Sequence, residues 1–159
     1  MALVWYQRAL DGCEEAFGKD HPYTFSTVHG MAITFQKQGD YGKALVWYQR
    51  ALDGYENALG KDHPDTLNAV HGMANTFQDQ GDYDKALLWY QRALDGYEKA
   101  LGKDHLYTLS AVHGMASTFQ AINLRLERPR PPVSLSAPAR TICPRREFHP
   151  PVAPLVFGR

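Results

Sequence analysis

Between Tyr23 and Gln38 an apolar stripe falls at Phe25, Val28, Met31, Ala32 and Phe35, and between Asp65 and Gln80 at Leu67, Val70, Met73, Ala74 and Phe77. Steps of three and four put each set on one stripe of an α-helix and do not fit the two-residue period of a strand. Each stripe ends in a polar turn, Gln38-Gly39-Asp40-Tyr41 or Gln80-Gly81-Asp82-Tyr83. A second stripe follows, Ala86, Leu87, Tyr90, Ala93, Leu94, Tyr97 and Leu101 in the downstream copy. Asp82 precedes it as an N-cap that accepts from free N–H groups. The second helix closes on Gly60-Lys61-Asp62-His63-Pro64, a C-cap glycine and then a proline suited to the first turn of the next helix. The pattern therefore predicts alternating helices, A from about Tyr23 to Lys37 and Asp65 to Asp79, and B after each turn.

The sentence is repeated. Trp5, Trp47 and Trp89 lie 42 residues apart, and Tyr23–Pro64 differs from Asp65–Leu106 at 10 of 42 positions. A fixed period of this length means a stacked array whose units bury their apolar faces against neighbours, which places function in the recognition class. The units are residues 1–18, the second helix of a truncated repeat; 23–64 and 65–106, full repeats; and 107–128, the first helix of an incomplete one. Ala2 matches Ala44 and Ala86, so the opening MALVWYQRAL is a copy of KALVWYQRAL and not a signal peptide. Gly54 and Gly96 sit inside B helices, where glycine costs about 1 kcal/mol against alanine, and are expected to be weak points or slight bends. The B-helix tryptophans are expected to pack between successive repeats.

These residues resemble the tetratricopeptide repeat, and among its variants the 42-residue kinesin-light-chain type. Val70, Met73, Ala74, Phe77, Gly81, Ala86, Tyr90 and Ala93 meet the repeat's spacing, and Leu59-Gly60-Lys61-Asp62-His63-Pro64-Asp65-Thr66 resembles the light-chain linker. The match covers about residues 1–120. The resemblance implies an all-α, right-handed superhelical solenoid of antiparallel helix pairs, and a non-catalytic scaffold or adaptor. His71-Gly72 stands where light-chain repeats carry paired Asn, and no heptad region for a motor heavy chain is present. Near-identical copies are also similar to the arrays attached to nucleotide-binding signalling ATPases, where they act as sensor or autoinhibitory segments. A cargo adaptor of the light-chain kind and a non-functional gene fragment complete the alternatives.

In that family the A helices line a concave groove. The groove face, taken as opposite the apolar stripe, carries Ser26, His29, Ile33 and Gln36, then Asn68, His71, Asn75 and Gln78, then Ser110, His113, Ser117 and Gln120. This is a neutral, hydrogen-bonding surface with a histidine on each level, and a protein or peptide is the partner it implies. It holds no Lys or Arg, so no clamp for a terminal carboxylate is expected. Histidines on successive helices stand about 8–10 Å or more apart, too far to share a metal. A solvated or capping role is expected for them, with a pH-sensitive groove as the sharper alternative. His21, His63 and His105 in the linkers are expected to hold turns. No nucleophile with its base, no paired carboxylates in an apolar setting and no phosphate loop occur. Neither an enzyme, a cofactor nor a metal site is expected.

Charge and composition divide the chain once more. Residues 1–120 hold 10 Lys+Arg against 15 Asp+Glu, while residues 121–159 hold 7 Arg and 2 Glu. The repeat template breaks after Gln120, although the helix has room to continue to about Arg128. The segment 129–159, with eight Pro and no Trp or Tyr, is expected to be a disordered tail. Its Arg residues lack the interleaved aromatics of a nucleic-acid surface, its PxxP-like steps are weak signals, and a splice or frameshift origin fits the abrupt break. Cys13 and Cys143 form no framework, so a reducing, cytoplasmic setting is expected, and no apolar run has the length of a membrane span. Both ends of the array leave stripes uncovered, so self-association or fraying is expected there.

Overall fold

The computed structural model describes residues 2–127, which form six helices and no strand among the described residues. They are α1 (Ala2–Phe17), α2 (Pro22–Lys37), α3 (Tyr41–Leu59), α4 (Pro64–Gln80), α5 (Tyr83–Leu101) and α6 (Leu106–Glu127). α2, α4 and α6 are the A helices, and α1, α3 and α5 the B helices. The expected tail at 129–159 lies outside the described residues.

Local chemistry fixes where each helix starts and stops. Asp40 and Asp82 accept from the backbone N–H of Lys43 and Lys85 at 3.3 and 3.4 Å and pair with the same lysines' ammonium groups at 2.6 and 2.7 Å. α4 ends on Gly81, whose φ of 84° is a left-handed conformation open to glycine at little steric cost. The linker histidines are N-caps: Nδ1 of His21, His63 and His105 accepts from the N–H two residues on, at 3.2 Å in each copy. The recurring linker threonine completes the joint. Thr24, Thr66 and Thr108 are buried and donate to the carbonyls of Gly18, Gly60 and Gly102 at 2.8, 2.8 and 2.7 Å, tying each helix start to the end of the helix before it.

Each helix packs on the next, α2 on α3 and α4 on α5 within pairs, α1 on α2, α3 on α4 and α5 on α6 between them. The backbones of alternate A helices also approach one another, whereas alternate B helices meet only through long side chains such as Arg50 with Glu14. The A row is therefore the inner side of the curve. The core is the two stripes: Val28, Ala32, Val70 and Ala74 from the A helices, and Ala44, Tyr48, Ala86, Tyr90 and Tyr97 from the B helices, are almost wholly removed from water.

Two expectations are corrected. Gly54 and Gly96 are points of close approach, not weak points: an added Cβ would stand 2.2 Å from the Phe25 ring or from a Leu67 methyl. Both glycines lie inside unbroken helices, so the helix-propensity penalty is offset by closer packing of the pair. The tryptophans find their stacking partner within the pair. Trp47 stacks on Phe35 and Trp89 on Phe77, with centroids 6.4 Å apart in both, and Arg50 and Arg92 lie over the outer faces of the indoles.

Candidate functional site

On the inner row, α2 and α4 enclose a concavity of about 360 Å³ lined by His29, Ile33 and Gln36 from α2 and Asn68, His71 and Asn75 from α4. Half of the twelve groove positions therefore converge on one hollow. Tyr48 and Tyr107 complete its walls. No Lys or Arg lines it, so the hollow offers amides, imidazoles and one apolar side chain.

The amides are held in place from behind. The buried Tyr48 donates its hydroxyl hydrogen to Gln36 Oε1 at 2.9 Å, and Tyr97 donates to Asn68 Oδ1 at 2.6 Å. Tyr90 reaches Gln78 Oε1 at 2.6 Å and Asn75 Oδ1 as well. One hydroxyl proton serves one acceptor fully, so the second contact implies an Asn75 amide turned to present its NH2. Burial pushes the Tyr90 hydroxyl up to about 12, and the nearby Asp79 carboxylate adds to it, so the phenol remains a donor at physiological pH. Lateral bonds link the rungs: Gln36 Nε2 donates to Asp79 Oδ2 and Gln78 Nε2 to Ser117 Oγ, both at 2.8 Å.

The histidines are more enclosed than expected. His29 lies edge-on to Tyr48 at 5.4 Å, and His71 packs between Tyr90 and Tyr97 at 5.5 and 6.4 Å. Desolvation lowers the pKa of both below the ordinary 6.5; for His29 the Asp65 carboxylate works weakly the other way. The cause is geometric. The groove residues stand one step of about 100° from the stripe, not opposite it, and the A helix is flanked by its own B helix, the preceding B helix and neighbouring A helices. Gly30, Gly72 and Gly114 show how tight that flanking is, since a Cβ there would run into Tyr6, Tyr48 and Tyr90 at 2.5, 2.4 and 2.4 Å.

The other six positions are less gathered. Ser26, His113 and Gln120 are exposed, Ser110 is half-buried, and Gln78 and Ser117 form the rung between α4 and α6. Among the described residues no three His, Cys, Asp or Glu side chains converge as a metal would require. Sequence reasoning missed the tyrosines of the B stripe as part of this site. A buried tyrosine needs a partner for its hydroxyl, and that rule points to the amides one helix away.

Paired helices stacked in one direction, with a neutral groove along the inner row, define a repeat solenoid. The family model for the tetratricopeptide repeat matches residues 1–57, 25–99 and 69–124, and the chain belongs to that family. Tetratricopeptide repeats form a generally non-catalytic scaffold for protein–protein contacts.

Solved structures share the fold at low identity. The nearly identical TPR-like repeats assigned to a kinesin light chain of Podosopora anserina superpose with a TM-score of 0.67 at 21% identity, over 79% of this chain and 60% of that one. A point-substituted variant of those repeats gives 0.63 at 20% identity, over 79% and 59%. BtubC (BKLC) from P. vanneervenii gives 0.64 at 15% identity, over 98% of this chain and 62% of that one. The chain thus spans about three fifths of these neighbours' length. No curated protein sequence matches it. Among the described residues no helix is long and apolar enough to cross a membrane.

Proposed function

We propose that the inner groove formed by α2, α4 and α6 binds a peptide or a partner helix of another protein through neutral hydrogen bonds, without catalysis. The observation that carries this reading is the hollow between α2 and α4, where three side chains from each helix converge and the amides are fixed from behind by buried tyrosines. Side chains already held in one geometry lose little entropy when a ligand arrives. The fixed carboxamides keep free N–H and C=O sites that match a peptide backbone, and Ile33 supplies one apolar seat. A second copy of the chain is a further protein partner, through the exposed ends of the stack.

Selection of peptides from a random displayed library against the full chain tests the groove. Selected peptides should lose at least about tenfold in affinity on Asn68→Ala combined with Asn75→Ala, about 1 kcal/mol for each hydrogen-bonding amide. They should bind almost equally at low and high salt, because no cation lines the hollow. Peptides that ignore the double substitution, or whose binding collapses with salt, would place the site elsewhere.

A further inference from the structure

We infer that a second copy of this chain docks head to tail on the stack, its α1 taking the place of a B helix against α6. This deepens the self-association reading just given by naming its surface, register and polarity, and it is independent of what the groove binds.

The two faces are halves of an interface that the molecule builds twice in its own interior. α6 carries the same apolar stripe as α4, yet among the described residues no B helix packs on its far side. Val70 in α4 is wholly buried, whereas the corresponding Val112 is 46% exposed and Phe119, the counterpart of Phe77, is 51% exposed. α1 is the complementary half. Ala2–Gly12 repeats Ala44–Gly54 residue for residue, but Ala44 and Ala51 are buried on α2 while their counterparts Ala2 and Ala9 are open. With Trp5, 65% exposed, and Tyr6 they line an apolar hollow of about 430 Å³.

The fit extends to single side chains. Gly54 and Gly96 receive Phe25 and Leu67, whereas Gly12 has nothing within 4 Å of the equivalent point. Leu109, 42 positions beyond Leu67 and exposed, is the side chain that fills it. Phe119 likewise stacks on Trp5 of the second copy as Phe77 stacks on Trp89. Charge follows the same register. Arg50 pairs with Glu14 and Arg92 with Glu56, each arginine 36 positions after its glutamate. Glu98 is the next glutamate of the series, and Arg8 of the second copy is the arginine that continues it. The two surfaces differ, so the contact is heterologous and adds copies one after another, into a ring if the rotation closes and an open filament if it does not. Each added copy continues the row of A helices.

Sedimentation of the full chain tests this over about 1 to about 200 µM, where an interface of modest size associates. The weight-average mass should rise with concentration above the 17.9 kDa of one chain. Trp5→Glu and Phe119→Glu should each remain monomeric with unchanged helicity, since both side chains are exposed in the single chain. Mixed one to one, they retain one good pairing of faces and should give a dimer that grows no further. Arg8→Glu should weaken association about threefold or more, and Arg8→Glu with Glu98→Arg should recover it. A wild-type chain that stays monomeric throughout overturns the proposal. So does either single variant associating like wild type, or a mixture that forms no dimer.

Discussion

Gly54→Ala and Gly12→Ala place the same substitution at equivalent positions of two B helices, and the structure assigns them opposite signs. Helix propensity alone favours alanine by about 1 kcal/mol at both. At Gly12 nothing lies within 4 Å of the added Cβ, so that gain is realised. At Gly54 the Cβ would meet three atoms of the Phe25 ring at 2.2, 2.4 and 2.4 Å. Carbon atoms rest at about 3.5–4.0 Å, so the ring must withdraw by more than about 1 Å. Phe25 is buried and packs edge-on to Tyr55 at 5.8 Å, which leaves it little room to yield. Overpacking of this kind costs about 1–3 kcal/mol, and the crowding by three ring atoms puts Gly54 at the upper end. The net is a loss of about 2 kcal/mol after the propensity gain, against a gain of about 1 kcal/mol at Gly12. Melting curves at low protein concentration, where self-association does not contribute, should place Gly54→Ala about 6–10 °C below wild type and Gly12→Ala a few degrees above it. A Gly54→Ala variant that melts at or above wild type would refute the close-approach account of these glycines.

Three further substitutions probe the joints and the groove. Thr66→Val keeps volume but removes the hydroxyl that donates to Gly60 O, leaving that carbonyl with only the long 3.5 Å bond from the His63 N–H; urea unfolding should show a loss of about 1–2 kcal/mol. His63→Ala removes the N-cap of α4 and should cost about 1 kcal/mol, while His63→Asn, a good cap, should recover most of it in the same assay. For His71, burial holds the folded pKa below the ordinary 6.5, so the unfolded chain takes up a proton first as pH falls. The stability associated with the neutral ring is complete above about pH 6.5 and declines below it. Melting temperature should therefore drop less for His71→Gln than for wild type between about pH 7.5 and about pH 5.5, and equal slopes would count against a desolvated His71.

The helix pairs were legible because a 42-residue repeat states each stripe more than once, and helix ends carried their own signals in Asp40, Gly60 and Pro64. α1 and α6 were legible for the same reason, although among the described residues neither has its pair partner. What a one-dimensional stripe does not carry is the number of neighbours around a helix. An A helix touches helices on several sides, so residues beside the stripe, such as His29 and His71, are half-buried and not solvated. The glycines were misjudged on the same ground. Propensity counts Gly54 and Gly96 as losses, whereas the sign is set by the Phe25 ring and the Leu67 methyl that rest against them. The linker histidines recur as caps, a role visible only once Nδ1 is seen to face a backbone N–H.

Two of the ten differences between the full copies fall in the groove, at Ser26 against Asn68 and Ile33 against Asn75. Val28 and Val70, Met31 and Met73, and Ala32 and Ala74 are the same residue at buried positions, so the joints between helices are nearly interchangeable. Phe25 against Leu67 is one buried exception, where the glycine facing each gives room to both, and Thr27 against the buried Ala69 is another. The groove differs from rung to rung: Ile33, Asn75 and Ser117 occupy one row, and Ser26, Asn68 and Ser110 another. On the proposed reading a bound segment meets an apolar seat at α2 and amides at α4, which gives binding a direction that the uniform stack lacks. The same uniformity has a second consequence. Interchangeable joints cannot distinguish an internal B helix from the α1 of another copy, so the identity that makes each pair close well also leaves the two ends of the array matched to one another.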